Sequence, residues 1–165
     1  MVVPTTIQSK KEKKMEVRQN NFKNEVLASI AEMITDNDSV YESVIEQSSQ
    51  HINQNDRILT HGQSFLLAEF LKCAKTGRVG EDDKTQAGIN FEVLVCETAP
   101  LFSGHRMAKV LQDSGLKVYV LPDSNVYSLM SRIDKVIISC QAILANGGLI
   151  APAGAYQICL AAKVS

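Results

Sequence analysis

From residue 57 onward the chain alternates short apolar segments with amphipathic ones, and this alternation constrains the fold more than any other feature. Four short segments rich in β-branched and apolar residues are typical of strands: RILTHG, FEVLVCE, KVYVL and KVIIS. The segments that follow them space their apolar residues as helices do: SFLLAEFLKCAK, HRMAKVLQDS, NVYSLMSRI and GAYQICLAAK. Because strands that alternate with helices pair in parallel, the pattern predicts an α/β fold with helices on both faces of a parallel sheet.

Two helices are predicted before the sheet. Apolar residues recur at helical spacing over residues 20–35, which predicts the first helix. Ser39 and Glu42 then form an S-x-x-E capping box, which predicts that a second helix begins at this point. Both helices have a one-sided apolar stripe, so each is expected to bury that stripe against another element.

Polar segments divide the chain. Residues 76–90 have charged and turn-forming residues without an apolar period, which predicts a surface loop. The sequence stops directly after a helix that a parallel sheet would follow with another strand, so we expect a truncated C-terminus. The predicted organisation is a polar basic tail over 1–18, a helical segment over 19–55 and an α/β domain over 56–165.

Composition limits the class of protein. A net charge of −1 argues against a general nucleic-acid binder. No apolar run approaches the ~20 residues of a membrane span, and the N-terminus lacks the apolar core of a secretory signal. Neither direct binding to nucleic acid nor a membrane location is therefore expected. The cysteines form no C-x-x-C pair, so we predict reduced thiols in the cytoplasm and no metal site: Cys73, Cys96, Cys140 and Cys159.

Polar residues follow three of the predicted strands. His61, Glu97 and Gln141 come at the ends of strands one, two and four. The carboxyl ends of parallel strands share one edge, where α/β proteins bind ligands, so these side chains are expected to lie together. Two structural alternatives stay open: Glu97 can cap the turn after it, and Gly62, next to His61, can serve a tight turn instead of an anion site.

No convincing catalytic set emerges from the residues alone. Glu97 and Asp123 could share acid–base chemistry, but Asp123 or Ser124 can equally cap the next helix. Asn146-Gly147 is typical of a sharp backbone reversal. We therefore assign no catalytic residue and no metal ligand. The candidate residual ligand pocket consists of His61, Gly62, Gln63, Glu97, Gln141, Asn146 and Gly147.

Several stretches in order resemble one known family. RILTHG, FEVLVCETAPLFSGHRMAKVL, VLPDSNVYSLMSRIDKVII, ILANGGLI and GAYQICLAAK together resemble the regulatory subunits (alpha, beta and delta) of eukaryotic translation initiation factor 2B. Within that family the beta branch is the most similar, through APLFSGHRMA, LMSRIDKVII and AILANGG. The resemblance covers about residues 20–163. It implies a Rossmann-like α/β domain preceded by the end of a helical domain.

The same fold family includes sugar-phosphate isomerases, and this chain departs from their pattern. The isomerases have a cysteine where this chain has Gly62, and a general-acid aspartate where it has Gln141. An arginine and a lysine of the isomerases correspond to Ala99 and Pro152. An amide does not exchange a proton near pH 7 as a carboxyl group does. The resemblance therefore implies a protein that is not an enzyme.

By resemblance, the expected function is that of a beta-like, non-catalytic regulatory subunit of the guanine-nucleotide exchange complex for initiation factor 2. The implied partners are the alpha, delta, gamma and epsilon subunits of initiation factor 2B, and initiation factor 2 with its phosphorylated alpha subunit. No cofactor is implied. Two alternatives remain open: an isomerase of methylthioribose-1-phosphate or ribose-1,5-bisphosphate, and a small-ligand sensor that uses the residual pocket.

Overall fold

The structure is a computed structural model that describes residues 5–77 and 88–165, with side chains from residue 21 onward. Most of the predicted surface loop over 76–90 lies outside the described residues. The chain divides into two compact units, Met1–Tyr41 and Glu42–Ser165. Among the described residues, no helix combines the length and apolar character that crossing a bilayer requires.

The N-terminal region is one long helix, α1, over Thr5–Glu46, followed by a single helical turn, α2, over Ser48–His51. The prediction that a second helix begins at Ser39 is wrong. The Ser39 hydroxyl donates to the Asp36 carbonyl oxygen (2.8 Å) inside the helix, so it does not cap a new one. No proline or glycine interrupts residues 20–46, and α1 already begins within the predicted polar tail.

The sheet confirms the predicted α/β class. All its pairings are parallel, in the order β3-β2-β1-β4. Its strands are β1 (Arg57–His61), β2 (Glu92–Cys96), β3 (Lys117–Leu121) and β4 (Lys135–Val136). The register pairs His61 with Cys96 and Cys96 with Leu121, so three strands end in one row. The residues that follow these ends therefore lie at one edge of the sheet.

Helices cover both faces of the sheet, as predicted. They are α3 (Phe65–Thr76), α4 (Ser103–Asp113), α5 (Val126–Leu129) and α6 (Ala155–Val164). One buried core joins α3 and α4 to Ile58 and Val93, and a second joins α5 and α6 to Leu59 and Cys96. Side chains alternate between the faces of a strand, so neighbours such as Ile58 and Leu59 enter different cores.

Helix ends follow the sequence in two cases and depart from it in a third. The Ser64 hydroxyl caps α3 by accepting from Leu67 N (3.3 Å), and Gly115, with φ +80°, follows α4 as predicted. The expected cap by Asp123 or Ser124 is wrong. Residues 123–125 form a short 3-10 turn with no side-chain cap.

The fourth strand is shorter than predicted. β4 ends at Val136, and one further bond, from Ile137 N to Leu59 O (2.9 Å), continues the pairing with β1. The chain then forms a separate antiparallel hairpin of β5 (Ala142–Ile143) and β6 (Leu149–Ile150). The apolar run from residue 136 fits a strand equally well in either setting, because only the partner decides how far pairing continues. The predicted reversal at Asn146-Gly147 is the turn of this hairpin, with Gly147 at φ +81°.

Candidate functional site

His61 lies at the end of β1 and is only 4 % exposed. Gly154, the residue before α6, packs directly against its imidazole: a Cβ placed on Gly154 would lie 2.6 Å from His61 Nε2. Gly154 also has φ +100°, a backbone conformation that favours glycine. The start of α6 can therefore approach β1 this closely only because residue 154 has no side chain.

Asp123, two residues after the end of β3, fixes the turn that follows β2. Its two carboxylate oxygens accept from Thr98 N (3.0 Å) and from Ala99 N (2.8 Å). Thr98 has φ +62°, which is uncommon for a residue with a branched side chain. The carboxylate thus holds a strained turn in place and leaves a negative charge at the ends of the three strands.

Burial and the Asp123 charge set the protonation of two neighbouring groups. Burial lowers the pKa of His61, and the Asp123 carboxylate opposes part of that effect. Burial, with a further contribution from Asp123, raises the pKa of the Cys96 thiol to about 12. At neutral pH the site therefore holds a neutral imidazole and a protonated thiol, and a protonated thiol is a poor nucleophile.

Two glycines bring hydroxyl groups to this edge. A Cβ on Gly104 would collide with the carbonyl oxygen of Cys96, so a glycine is what lets α4 begin against the end of β2. A Cβ on Gly62, which has φ +72°, would lie 3.7 Å from Ser103 Oγ and 3.8 Å from Thr98 Oγ1. The strand ends therefore carry hydroxyls, the His61 imidazole and the carboxylates of Asp123 and Glu97.

The structure brings together part of the predicted pocket. His61 is the last residue of β1, and Gly62 and Glu97 directly follow the paired ends of β1 and β2, as expected. Gln63 is exposed in the turn after β1. The placement of Gln141 at the end of the fourth strand is wrong: Gln141 is exposed, and its N donates to Ile150 O (2.7 Å) at the base of the hairpin. Its displacement follows from the early end of β4.

Asn146 and Gly147 are exposed at the turn of the hairpin. They serve the reversal that the dipeptide predicts, with Gly147 N donating to Leu144 O (2.9 Å). Within the part of the chain that the structure describes, no three histidine, cysteine, aspartate or glutamate side chains come together as a metal site requires. A ligand role for the seven predicted residues stays a prediction.

Sequence reasoning gave Asp123 and Gly154 too little weight. Asp123 follows the third strand, and the strand-end rule that selected His61 and Glu97 applies to it equally. Its competing interpretation as a helix cap concealed this placement. Gly154 gives no comparable signal, since its contact with His61 joins residues 93 positions apart in the sequence.

Comparison with known proteins places this architecture. The sequence profile of the initiation factor 2 subunit family matches residues 2–165. The chain belongs to the initiation factor 2 subunit family. This confirms the resemblance that the ordered motifs predicted.

The proteins similar to this chain include translation initiation factor subunits and ribose 1,5-bisphosphate isomerases. The chain is 38 % identical over 138 residues to translation initiation factor eIF2B subunit beta of Dictyostelium discoideum, and the match covers 84 % of this chain and 33 % of that protein. It is 30 % identical over 149 residues to ribose 1,5-bisphosphate isomerase of Methanocaldococcus jannaschii, covering 90 % of this chain and 45 % of the isomerase. The chain thus spans a third of the beta relative and under half of the isomerase.

Two solved structures are similar in fold to this chain. Translation initiation factor eIF-2B of Pyrococcus horikoshii OT3 gives a TM-score of 0.65 at 23 % identity, over 74 % of this chain and 42 % of that one. A chain of the tetrameric eIF2B-beta2-delta2 complex from C. thermophilum gives a TM-score of 0.64 at 30 % identity, over 74 % of this chain and 36 % of that one. The first likeness shows the fold alone.

Proposed function

We propose that this chain acts as a beta-like, non-catalytic regulatory subunit of the guanine-nucleotide exchange complex for translation initiation factor 2. The observation that carries the proposal is the 38 % identity to an eIF2B beta subunit over 84 % of the chain. A second beta subunit, from Schizosaccharomyces pombe, is 33 % identical over 140 residues. The proposed role is binding: the subunit helps other subunits read a phosphate on their substrate and changes how that substrate docks.

The chemistry of the strand-end site supports a role without catalysis. Asp123 uses both carboxylate oxygens on backbone N–H groups, so neither is directed at a substrate. Cys96 is a buried thiol with a pKa raised to about 12. Gln141, at the position that the isomerases give to an acid, is an amide and lies on the hairpin. An acid–base pair, which sugar isomerisation needs, is difficult to assemble from these groups.

The proposed partners are the alpha, delta, gamma and epsilon subunits of initiation factor 2B, and initiation factor 2 with its phosphorylated alpha subunit. The likeness to a chain of the tetrameric eIF2B-beta2-delta2 complex supports association with other subunits. A cytoplasmic location belongs to the same proposal. Direct binding to nucleic acid and attachment to a membrane do not.

Co-purification tests the proposal. The affinity-tagged chain, expressed in the cells it comes from, is expected to retain the other initiation factor 2B subunits. Leu71 is fully buried, so Leu71→Asp serves as a misfolded control that must lose them. Failure of the native chain to retain any of these subunits would contradict the proposal.

Isomerase activity is the second candidate, favoured by the 30 % identity to a ribose 1,5-bisphosphate isomerase over 90 % of the chain. A direct assay with ribose-1,5-bisphosphate and with methylthioribose-1-phosphate decides between the two. We expect no turnover. Turnover that Gln141→Ala or His61→Ala abolishes, while the exposed His51→Ala retains it, would establish the isomerase instead.

A small-ligand sensor agrees with the regulatory role and uses the part of the residual pocket that lies at the strand ends, namely His61, Gly62 and Glu97. The buried imidazole and the nearby hydroxyls of Thr98 and Ser103 support this proposal, because such groups bind sugar hydroxyls and phosphates. Calorimetry with ribose-5-phosphate tests it. Binding that His61→Ala removes and His51→Ala leaves unchanged supports a sensor; no heat of binding rules out that ligand.

A further inference from the structure

The turn of the β5–β6 hairpin contains the one Asn-Gly pair of the sequence, Asn146-Gly147. The backbone nitrogen after an asparagine can attack the side-chain amide, and a glycine has no side chain to obstruct the approach. We infer that Asn146 is the deamidation site of this chain, and that the closed hairpin holds it in an unreactive geometry until its turn opens. This inference does not depend on the proposed function.

Hydrogen bonds engage both reacting groups. The nucleophile would be Gly147 N, and its N–H donates to Leu144 O (2.9 Å). The group under attack would be the Asn146 amide, whose Oδ1 accepts from Gly148 N (3.0 Å). Leu144 N in turn donates to Gly148 O (2.8 Å) and closes the loop. Residues 145–147 therefore form a three-residue loop with a left-handed glycine at its end, a common hairpin connection.

The reaction needs no reagent other than water. Gly147 N loses its proton to water and forms a bond to Cγ of Asn146. The bond from Cγ to the side-chain nitrogen breaks, and that nitrogen leaves as ammonia with the proton returned. Water then opens the five-membered imide at one of its two carbonyls, which leaves aspartate or isoaspartate. No group is oxidised or reduced.

The hydrogen-bonded conformation of the turn limits the rate of this reaction. Access to solvent does not limit it. Asn146 and Gly147 are both exposed, so water reaches them in the closed hairpin. The nitrogen of Gly147, however, has to give up its bond to Leu144 O before it can lose its proton. Opening of the turn is therefore the step that precedes attack.

The product would change an apolar part of the surface. Ile143 and Leu149 pair across the hairpin and are 73 % and 61 % exposed. Deamidation adds a negative charge beside this pair. The isoaspartate form also adds one carbon to the main chain of the loop, which disturbs the register of Ile143 opposite Leu149.

Comparison of the folded chain with a peptide tests the inference. The full chain and the peptide SCQAILANGGLIA are incubated together at neutral pH, and mass spectrometry with isoaspartate detection follows each. Attack requires two loop-closing bonds to open, Gly147 N to Leu144 O and Leu144 N to Gly148 O, so the chain is expected to react about ten-fold or more slowly than the peptide. Its product should map to Asn146. An equal or faster rate in the chain, or a product at a different asparagine, would overturn the inference.

Two substitutions at Leu144 test whether the closed turn, and not the Asn-Gly sequence alone, sets the rate of deamidation. Leu144 is 46 % exposed and outside both cores. Leu144→Pro removes the N–H that closes the loop while it keeps Asn146-Gly147, and should bring the rate close to that of the peptide. Leu144→Val keeps the N–H and should react as slowly as the native chain. A Leu144→Pro chain that circular dichroism shows to be folded and that still reacts slowly would contradict the gating.

Discussion

Gly154 packs so closely against His61 that a side chain at residue 154 would collide with the imidazole. Gly154→Ala would place a methyl group 2.6 Å from the buried imidazole nitrogen, at a φ of +100°. We expect a loss of about 3 kcal/mol in the free energy of unfolding, from strain and displacement of the ring together. Gly147→Ala is the matched control, because φ is +81° there but the space is open, and it should cost only about 1 kcal/mol. Urea denaturation measures both, and equal losses would contradict the packing argument.

The buried imidazole also makes stability depend on pH. The folded state lowers the pKa of His61, so below the ordinary histidine value the unfolded chain binds the proton more readily. This contribution to stability is fully present above the unfolded pKa. It is lost as pH falls from about 6.5 towards the lowered value.

Thermal melts between about pH 5 and 7.5 measure this effect. This pH range covers the titration of histidine. The native chain is expected to lose stability as the pH falls through that range. His61→Gln should flatten the dependence, whereas the exposed His51→Gln should retain it. An unchanged slope in His61→Gln would show that another group causes the loss.

At the scale of elements, two serines distinguish a continuous helix from a capped one. The Ser39 hydroxyl donates to a carbonyl within α1, whereas Ser64 accepts from Leu67 N at the start of α3. Ser39→Ala is therefore expected to leave helix content unchanged or slightly raised, because alanine has the higher helix propensity. Ser64→Ala should lower the free energy of unfolding by about 1 kcal/mol. Circular dichroism measures the helix content of Ser39→Ala, and urea denaturation measures the stability of Ser64→Ala. A loss of helix content in Ser39→Ala would indicate that a second helix does begin at Ser39.

The regular elements were predictable where local sequence and packing agree. The strands β1, β2 and β3 and the helices α3 and α4 follow from apolar periodicity, because each buries a face whose spacing the sequence records. The continuity of α1 was not, because Ser39 fits a helix start and a helix interior equally well. The early end of β4 was not either, since an apolar run specifies burial and leaves the extent of pairing open.

The candidate site was predictable in outline only. Strand ends placed His61 and Glu97 correctly, because parallel pairing brings the ends to one edge. The error at Gln141 follows from the length given to β4. The bonds from Asp123 to Thr98 and Ala99 join residues of separate loops, and no local pattern in the sequence records such a contact.

At the scale of the whole molecule, both cores lie in the second unit. The buried apolar residues around α3 and α4 and those around α5 and α6 all fall within Glu42–Ser165. A chain that begins at Glu42 is therefore expected to fold with a melting temperature within a few degrees of the whole chain. Its helix signal should fall by the share that α1 contributes. A broad, non-cooperative melt would show that the first unit is needed for the second to fold.

Because Cys96 is buried, the labelling of its thiol can serve as a probe of local opening at the strand ends. Cys140 and Cys159 are exposed and open to a thiol-directed dye at once, whereas Cys96 has no exposed surface. Its pKa of about 12 also leaves almost none of the reactive thiolate at neutral pH. Labelling at Cys96 therefore proceeds only when β2 separates transiently from α5 and α6. The rate of labelling reports how often this local opening occurs. A ligand that binds at the strand ends would lower the rate of labelling at Cys96, even where it changes neither the spectrum nor the melting temperature of the chain.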